Sequence, residues 1–317
     1  MIYGIIAILF FAGMLLYFPI ADHYNIIDHP NERSSHSVIT IRGGGVIFLF
    51  AALTAVIMYP TYWLPVMALF MVGVISFIDD RITLSSKIRL LVHLAATTLF
   101  FVCLDVFSLP VYESLFLYFV VIGTINAYNF MDGINGITGC YSLVVLAGLQ
   151  YVNLKLAFVE KDMIWLPILA CVVFLYFNFR KKARCFAGDV GSITIAFWIV
   201  MLLIRLILVT NNWSYILFLS VYGTDSVLTI IHRIWLKQNV FQPHRLHLYQ
   251  IMVNEMRLSH LVVSLIYAIL QGAIIFLVIN NTSFTGISLF SIVLIPLSLM
   301  YVFLKTVFMR NKHQAAA

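Results

Sequence analysis

Two adjacent carboxylates interrupt an otherwise apolar part of the chain. Asp79 and Asp80 end one hydrophobic run, and Lys87 lies at the start of the next in "DDRITLSSKIRL". Adjacent carboxylates repel each other unless a cation lies between them, and Mg²⁺ in proteins commonly takes one or two carboxylates together with phosphate oxygens of a substrate. The plainer alternative is that Asp80 pairs with Arg81 or Lys87. The pair therefore indicates either a divalent-metal site or an interfacial ion pair.

A third acid, Asp189, lies between glycines in "FAGDVGS", just before another apolar run. Glycines on both sides of an aspartate suggest a close approach of backbone and an exposed carboxylate. A single aspartate before a helix is, however, most often its N-cap. Both interpretations stay open from the spacing alone.

The stretch "NAYNFMDGINGITG", residues 126–139, places amides, an acid and glycines between two apolar runs. Asn126, Asn129 and Asp132 follow roughly helical spacing, which predicts that they share one face at the end of a helix. The glycines that follow allow a tight turn and close packing of the next helix. We interpret the stretch as the wall of a pocket.

Two further motifs carry groups that suit phosphate. Arg42 precedes three glycines at the end of "DHPNERSSHSVITIRGGG", and such a turn can offer backbone N–H groups to an anion or act as a flexible hinge. His244, Arg245 and His247 follow one another in "PHRLHLYQ" without the ligand spacing of a zinc site. Histidines beside arginine suit hydrogen-bond donation to phosphate, and the alternative is a solvated basic loop.

The elements that must position these groups are membrane helices. The 317 residues are 62% hydrophobic and 10% charged, with a mean hydropathy of +1.01, which indicates an all-α polytopic integral membrane protein. No polar interval is long enough to fold alone, so residues 1–317 are predicted to form a single membrane-embedded domain. At about 20 apolar residues per span, the chain offers eleven candidates: 2–20, 44–60, 62–78, 89–105, 113–128, 137–155, 163–179, 190–209, 213–231, 259–279 and 286–306.

The distribution of positive charge predicts the orientation. Sixteen of the nineteen Lys and Arg residues fall in alternate connections or in the C-terminal tail. The positive-inside rule makes that set cytoplasmic, with the N-terminus outside and the C-terminus inside. All nine histidines lie on or next to the same side. The loops that could do chemistry are therefore expected on the cytoplasmic face.

A secondary transporter is the alternative class, because polar residues within spans and glycine-broken helices also mark transport sites. The chain shows no convincing internal repeat, and only Arg205 and Asp225 lie deep within spans. We interpret these two as structural partners that face the bundle interior. The one-sided clustering of acids and histidines favours an enzyme.

In their order along the chain, the motifs resemble those of the polyprenyl-phosphate N-acetylhexosamine-1-phosphate transferases, over about residues 25–250. The motifs are "DHPNERSSH" with "RGGG", "DD" with "SSKIRL", "NAYNFMDGINGITG", "FAGDVGS", "DSVLTIIHR" and "PHRLHLYQ". The resemblance implies an enzyme of the bacterial inner membrane that uses Mg²⁺, with Mn²⁺ as an alternative. It implies transfer of a sugar 1-phosphate from a UDP-N-acetylhexosamine to undecaprenyl phosphate, with release of UMP. Membrane lipids are expected partners, nucleic acid is not, and a homodimer stays open.

The resemblance also implies roles for individual residues. Asp79 and Asp80 correspond to the catalytic acidic pair, with Lys87 near the lipid phosphate. Asp189, together with Asp80, would hold the metal. The positions that correspond to substrate binding are Arg42, Asn126, Asn129, Asp132, His244, Arg245 and His247.

The chain departs from the family pattern at two places. Asn135 stands where the common signature has a second aspartate, so an acid role there is not expected. The usual HxHH ending is reduced to "HLYQ", which leaves His247 with Tyr249 and Gln250. This variant is similar to the subgroup that makes deoxy sugars such as N-acetylfucosamine or N-acetylquinovosamine on the lipid carrier for O-antigen or capsule. N-acetylglucosamine stays open as the sugar, and a muramoyl-pentapeptide donor is disfavoured.

Overall fold

The fold is an all-helical bundle with one short sheet at one end. The computed structural model describes residues 1–28, 39–240, 242 and 244–315, with side chains described up to residue 308. The motif residues from 29 to 38, and Pro243, lie outside the described residues. The helices are α1 (Ile2–His23), α2 (Ile47–Met58), α3 (Trp63–Arg81), α4 (Ser86–Cys103), α5 (Val111–Met131), α6 (Ile137–Leu156), α7 (Asp162–Asn178), α8 (Gly188–Thr210), α9 (Ser220–Trp235), α10 (Leu248–Asn254), α11 (His260–Ile279) and α12 (Gly286–Ala315).

Each of the eleven predicted spans coincides with an apolar helical segment. Within the described chain, nine helical segments are long and apolar enough to cross a membrane, and two shorter apolar ones run over Gly44–Met58 and Asp162–Asn178. The one α-helix of the described chain outside these segments, α10, is only seven residues long and lies in the basic loop before α11. Hydropathy does not reveal it because it is far shorter than a span.

Helix α8 forms the centre of the bundle. Its residues are apolar on every side, and most of them are buried. It packs against α2, α3, α5 and α6, as well as against the short 3₁₀ turn Gly44–Val46. A helix that is hydrophobic all round needs such a position. The N-terminal end of α8 therefore lies where several connections converge.

A very close backbone contact fixes the start of α2 against the start of α8. A Cβ atom at Gly45 would lie 1.9 Å from the Cα atom of Gly191. The N–H groups of Gly44 and Gly45 donate to the carbonyl oxygens of Phe186 and Ala187, at 2.8 and 3.0 Å. These two N–H groups are therefore engaged within the protein, and the glycines serve close packing.

A small sheet ties the same region together. Strand β1 (Ile27–Asp28) pairs antiparallel with β2 (Thr40–Ile41), and Ile41 forms a parallel bridge to Cys185. The N–H of Phe186 donates to the carbonyl oxygen of Ile41 at 2.8 Å. The segment before α2 and the segment before α8 thus form one unit.

Arg205 and Asp225 do not contact each other. The interpretation that both face the bundle interior is wrong for Arg205, because its side chain is exposed. The Arg205 side chain is exposed, and its Nε atom donates to the carbonyl oxygen of Phe158 at 3.3 Å. Asp225 is buried and contacts His247. Arg205 lies near the C-terminal end of α8, where a long side chain can reach the interface.

We predict that Gly45→Ala strongly lowers the melting temperature of the purified protein in detergent. The added methyl group meets backbone atoms of Gly191, which cannot move without separating α2 from α8. Overpacking of this kind costs about 1–3 kcal/mol or more. Gly4→Ala in α1 is the matched control, because a Cβ there meets no atom within 4 Å. Equal melting temperatures for the two variants would contradict the contact.

The orientation is tested with reporter fusions. We expect a fluorescent protein fused to the C-terminus to be fluorescent, because it folds in the cytoplasm. Alkaline phosphatase fused after Ser108, in the connection between α4 and α5, should be active, because that connection is predicted to lie outside. An active phosphatase fused after Ala183, in the connection between α7 and α8, would contradict this orientation.

Candidate active site

The carboxylate of Asp80 lies at the N-terminus of α8. It accepts hydrogen bonds from the backbone N–H groups of Asp189 and Val190, at 2.9 and 3.1 Å. The Asp80 side chain is fully buried. A helix N-terminus favours a negative charge because its first N–H groups have no partner within the helix. The cap of α8 is therefore Asp80 from α3, and Asp189 is left free to point elsewhere.

Arg42 links the two acids. Its Nε atom lies 2.7 Å from Oδ1 of Asp80, and its Nη2 atom lies 3.2 Å from Oδ1 of Asp189. The expected partners of Asp80, Arg81 and Lys87, are not the ones it uses. One guanidinium thus compensates a fully buried carboxylate and reaches a second one that is 18% exposed.

Asp79 faces away from this group and organises the turn before α4. Its Oδ1 atom accepts the N–H of Leu84 at 2.6 Å, and its Oδ2 atom lies 2.9 Å from Nη1 of Arg89. The same Nη1 atom is 3.9 Å from Oδ2 of Asp189. Arg89 therefore connects Asp79 to the acid at the start of α8.

Gly188 makes the approach of Asp80 to α8 sterically feasible. Its backbone has φ +71°, and a Cβ atom there would lie 2.5 Å from Oδ2 of Asp80. The inference that the glycines beside Asp189 mark a close approach is confirmed for Gly188 and for Gly191.

Amide side chains hold the loop after α5 against the loop before α8. Asn178 accepts the N–H of Gly136 at 2.6 Å and donates to the carbonyl oxygen of Cys185 at 2.8 Å. Asn135 donates to the carbonyl oxygen of Arg180 at 2.8 Å. Both amides are buried. These bonds satisfy backbone groups that would otherwise be buried without partners.

These connections surround one polar cavity of about 250 Å³. It lies between the starts of α8 and α11, the end of α5 and the segment before α2. Its charged or polar side chains are Asp28, Arg42, Asn129, Asp132, Asn135, Asn178, Asp189, Gln250 and His260. Three predicted substrate-binding residues and the predicted metal ligand Asp189 thus share one cavity.

Asp132, at the end of α5, is a further acid of this cavity. Its Oδ1 atom accepts the hydroxyl of Thr138 at 2.6 Å. Burial raises the pKa of Asp132 to about 7, and the negative charges of Asp189 and Asp80 add to this effect, against the Thr138 hydrogen bond and the charge of Arg42. The cavity therefore holds a carboxyl group that titrates near neutral pH in the absence of a ligand.

Asn126 and Lys87 lie away from the cavity lining. Asn126 is exposed and donates to the carbonyl oxygen of Ile122, and it lines an apolar groove instead. Six residues of helix correspond to a rotation of about 600°, so Asn126 and Asp132 point roughly 120° apart. This corrects the prediction of one shared face. Lys87 is exposed in the first turn of α4.

The histidine loop lies beside the cavity and contributes to it through α10. His247 is buried, with Nδ1 3.0 Å from Oδ1 of Asp225, and Gln250 of α10 reaches the cavity wall. Burial, the neighbouring His247 and the positive charges of Arg233 and Lys305 lower the pKa of His244 to about 4. His244 is therefore neutral at pH 7. Arg245 is half-buried.

The described residues contain no group of three or more His, Cys, Asp or Glu side chains arranged to hold a metal ion. A cation bound here would need to take one or two carboxylates and complete its coordination with phosphate oxygens and water, as Mg²⁺ does. Asp189 and Asp132 suit that requirement because both line the cavity. Asp80 suits it less, because its oxygens already accept from Arg42 and two N–H groups. Its role as a ligand stays a prediction.

Several cavity residues were not identified from the sequence. Asn178 ends α7, Gln250 belongs to α10, and His260 begins α11, where its Nδ1 atom accepts the N–H of Asn135 at 3.3 Å. A usable signal existed for Asn178 and His260. Each is a polar residue at the end of an apolar helix, on the side that carries the acids.

Part of the chain matches a protein-family model. The model described as glycosyl transferase family 4 matches residues 62–207. This range runs from just before α3 into the last turns of α8. It contains Asp80, Asp132 and Asp189.

Two of the relatives described here align over most of the chain, and a third aligns over about a quarter of it. One is the "Probable undecaprenyl-phosphate N-acetylglucosaminyl 1-phosphate transferase" of Bacillus subtilis (strain 168), 26% identical over 78% of this chain and 76% of the relative. The undecaprenyl-phosphate alpha-N-acetylglucosaminyl 1-phosphate transferase of Escherichia coli (strain K12) is 25% identical over 79% of this chain and 76% of its own. The phospho-N-acetylmuramoyl-pentapeptide-transferase of Deinococcus radiodurans is 36% identical, over 26% of this chain and 24% of its own.

The fold and the site together define a polytopic helical membrane protein with a polar, acid- and arginine-lined pocket at one end of its bundle. Within that class, the family match and the relatives confirm the resemblance of the ordered motifs. The chain is similar to the polyprenyl-phosphate N-acetylhexosamine-1-phosphate transferase superfamily, and its residues 62–207 match glycosyl transferase family 4.

The titration of Asp132 predicts how stability depends on pH. An unfolded aspartate has a pKa near 3.9, so between about pH 4 and pH 7 the folded state holds a proton that the unfolded state releases. Stability contributed by this group therefore falls as pH rises through that window and is constant above it. We expect Asp132→Asn to remove this fall, so that the variant melts at higher temperature than the wild type at pH 8 and similarly at pH 4.

The measurement is thermal unfolding in detergent with a chelator present, so that no divalent cation compensates the charge. Asp105→Asn removes one exposed carboxylate in the connection between α4 and α5 and serves as the matched control. A difference between Asp132→Asn and wild type that is the same at pH 4 and pH 8 would contradict the raised pKa.

Proposed function

We propose that the protein transfers a sugar 1-phosphate from a UDP-N-acetylhexosamine to undecaprenyl phosphate. The observation that carries the proposal is the convergence of Arg42, Asp132 and Asp189 on one polar cavity. The activity is inferred from the relatives, which are named undecaprenyl-phosphate N-acetylglucosaminyl 1-phosphate transferases. We further propose that the reaction requires Mg²⁺ and that the protein lies in the bacterial inner membrane with the cavity open to the cytoplasm. Its product would initiate the synthesis of O-antigen or capsule.

The transfer reaction can proceed in one step, in which the lipid phosphate itself is the nucleophile and no protein side chain is needed as one. A phosphate monoester has a second pKa near 6, so the lipid phosphate is mostly a dianion at pH 7. One of its oxygens forms a bond to the β-phosphorus of the UDP-sugar. The bond between that phosphorus and the bridging oxygen breaks, and UMP leaves with the bridging oxygen. The products are undecaprenyl diphosphate-sugar and UMP.

The main barrier is the repulsion between the two phosphate-bearing substrates, and the cavity offers groups that reduce it. Arg42 supplies a guanidinium, which is well suited to bidentate contact with phosphate oxygens. Asn129 and Gln250 supply amide donors at the same cavity. Mg²⁺, when bound, would add charge neutralisation of the phosphates, and Asp189 with Asp132 would hold it.

The acids at the end of α3 support direct attack by the lipid phosphate. Asp80 is fully buried and its carboxylate accepts from three donors, while the carboxylate of Asp79 is held by Leu84 and Arg89. A carboxylate whose oxygens are engaged in this way, as in Asp80 or in Asp79, is a poor nucleophile toward a diphosphate in the cavity. We therefore assign Asp80 the task of placing Asp189 and Arg42. A phosphoryl-enzyme on Asp79 or Asp80 is the alternative.

An apolar groove beside the cavity suits the prenyl chain. It measures about 530 Å³ and is lined mainly by apolar side chains of α5, α9 and α12, with Asn126 among the few polar ones. Phe130, which lines this groove, is the neighbour in sequence of Asn129, which lines the polar cavity. A lipid whose chain occupies the groove can thus present its phosphate near the acids. Each CH₂ removed from water contributes about 0.8 kcal/mol to keeping the prenyl chain in the bilayer, beside this groove.

The decisive experiment measures UMP release by the purified protein in detergent. The reaction contains Mg²⁺, undecaprenyl phosphate and one of a panel of UDP-sugars with N-acetylglucosamine, N-acetylfucosamine or N-acetylquinovosamine. We expect UMP from one donor, no UMP after chelation, and a loss of at least about 100-fold in Asp189→Asn, which removes a charge that meets the metal and phosphates.

Asp105→Asn is the matched control and should keep wild-type activity, since it makes the same chemical change far from the cavity. UMP release that survives Asp189→Asn would overturn the assignment of Asp189. No UMP from any donor, by protein that melts cooperatively, would overturn the proposed function, and uptake of substrate by proteoliposomes would then test the transporter class.

A further inference from the structure

A second apolar groove, of about 420 Å³, lies at the end of the bundle opposite to the polar cavity. It is lined by the start of α3, the end of α4, the start of α7 and the C-terminal half of α8. From Trp198 to Arg205, the lining residues of α8 cover about 10 Å along the helix axis. The groove that suits the prenyl chain is lined by other helices, α5, α9 and α12. The second groove therefore has no assigned occupant.

Arg205 gives this groove a positive charge. Its side chain is exposed, and its Nε atom donates to the carbonyl oxygen of Phe158 at 3.3 Å, which engages one of the three guanidinium nitrogens. Among the residues that the structure describes, no carboxylate forms an ion pair with Arg205, and no acid lines the groove. An unpaired charge within a membrane span is costly and commonly marks a functional site. The arrangement calls for an anion from outside the chain.

The guanidinium lies at the level of the lipid headgroups. Phe158, its hydrogen-bond partner, belongs to the connection between α6 and α7. Trp63, the first residue of α3, lines the same groove and is 57% exposed. Tryptophan is enriched where a membrane meets water, so both neighbours place this end of the groove at the interface. The remainder of the groove then runs from the headgroup level toward the middle of the bilayer.

Membrane topology does not account for Arg205. The predicted orientation puts this end of the bundle outside, where the connections carry only Lys155 and Lys161. Positive residues orient a chain by remaining on the cytoplasmic side, so a guanidinium on the outer side gains nothing from that rule. A role in binding gives the charge a reason to be there.

We propose that this groove binds an anionic phospholipid. The phosphate contacts Arg205, and one acyl chain lies in the groove along α8. A charged site at the interface with an apolar lining below it matches the order of headgroup and chain in a phospholipid. A free phosphate ion would leave the apolar lining unused. The site lies apart from the polar cavity, and the inference does not depend on the proposed function.

Quenching of tryptophan fluorescence by brominated lipids tests the site locally. The chain has five tryptophans, of which Trp63 and Trp198 line the groove. Changing the other three to Phe leaves a reporter protein whose fluorescence comes from the groove. In phosphatidylcholine nanodiscs, a fixed fraction of the lipid is replaced by brominated phosphatidylglycerol or by brominated phosphatidylcholine with the same chains. We expect the anionic lipid to be preferred at the groove by about fivefold, the effect of one basic residue close to an anionic lipid surface.

Three variants of the reporter protein assign the preference to Arg205. Arg205→Met should abolish it, because the charge is removed while a long side chain stays. Arg205→Lys should retain most of it, because the positive charge stays. Lys155→Met is the matched control and should leave the preference unchanged, since Lys155 is exposed on the same side and does not line the groove. Equal quenching by the two lipids in the reporter protein, or a preference that survives Arg205→Met, would overturn the proposal.

A second readout uses the chain with all its tryptophans, in detergent, and detects binding through stability. A ligand that binds only the folded protein raises its melting temperature. We expect phosphatidylglycerol to raise the melting temperature more than phosphatidylcholine does, with the difference reduced in Arg205→Met and kept in Lys155→Met. A difference of the same size in all three proteins would overturn the site and assign the selectivity to the basic loops at the other end. Neither readout needs enzymatic activity, so a failure of the proposed function would leave both unaffected.

Discussion

The carboxylate of Asp80 against the N-terminus of α8 is the interaction on which the site depends. It joins the end of α3 to the start of the central helix, and Arg42 adds the segment before α2. Charge-assisted hydrogen bonds from N–H groups and from the guanidinium of Arg42 compensate the burial of this charge. Removal of Asp80 or of Arg42 would leave the other as a costly unpaired ion. The position of Asp189 follows, because its own N–H is one of the donors.

The backbone must come very close for this arrangement to exist. Gly45 and Gly191 bring α2 and α8 into direct contact, and Gly188 leaves room for the Asp80 carboxylate. Asn178 then fixes the loop after α5 to the same unit. The polar cavity is therefore built by packing between apolar helices, with polar groups only where their ends meet. A lipid substrate that cannot leave the bilayer and a water-soluble nucleotide sugar can both reach such a place.

Much of this arrangement could be predicted from the sequence. The eleven spans follow from hydropathy, since every span needs its own apolar run. The meeting of Asp80, Asp132 and Asp189 at one end followed from their places in alternate connections. The partners of each acid could not be predicted, because Arg42 reaches Asp80 only through tertiary packing, while the nearer Arg81 and Lys87 point elsewhere. Asn126 shows the limit of an argument from sequence spacing. A spacing of three residues falls short of a full helical turn, and over two such steps the difference turns Asn126 to a different face of α5 from Asp132.

The histidine loop illustrates the same limit. Its composition indicated phosphate contacts but not that His247 is buried against Asp225, a residue from another helix. Short helices such as α10 depend on those tertiary contacts and give no hydropathy signal of their own. Residues that organise a site from behind are therefore the hardest to identify from a sequence, whereas residues that line it often stand in recognisable motifs.

Thermal unfolding of Asp80→Asn beside Asp189→Asn, in detergent without substrate, tests the central claim most directly. Asp80 is fully buried with three donors, and Asp189 is partly exposed at the cavity. We predict a clearly lower melting temperature for Asp80→Asn, because Arg42 and the N-terminus of α8 lose their charged partner, and a small change for Asp189→Asn. A wild-type melting temperature for Asp80→Asn would contradict the claim that this carboxylate holds the site together.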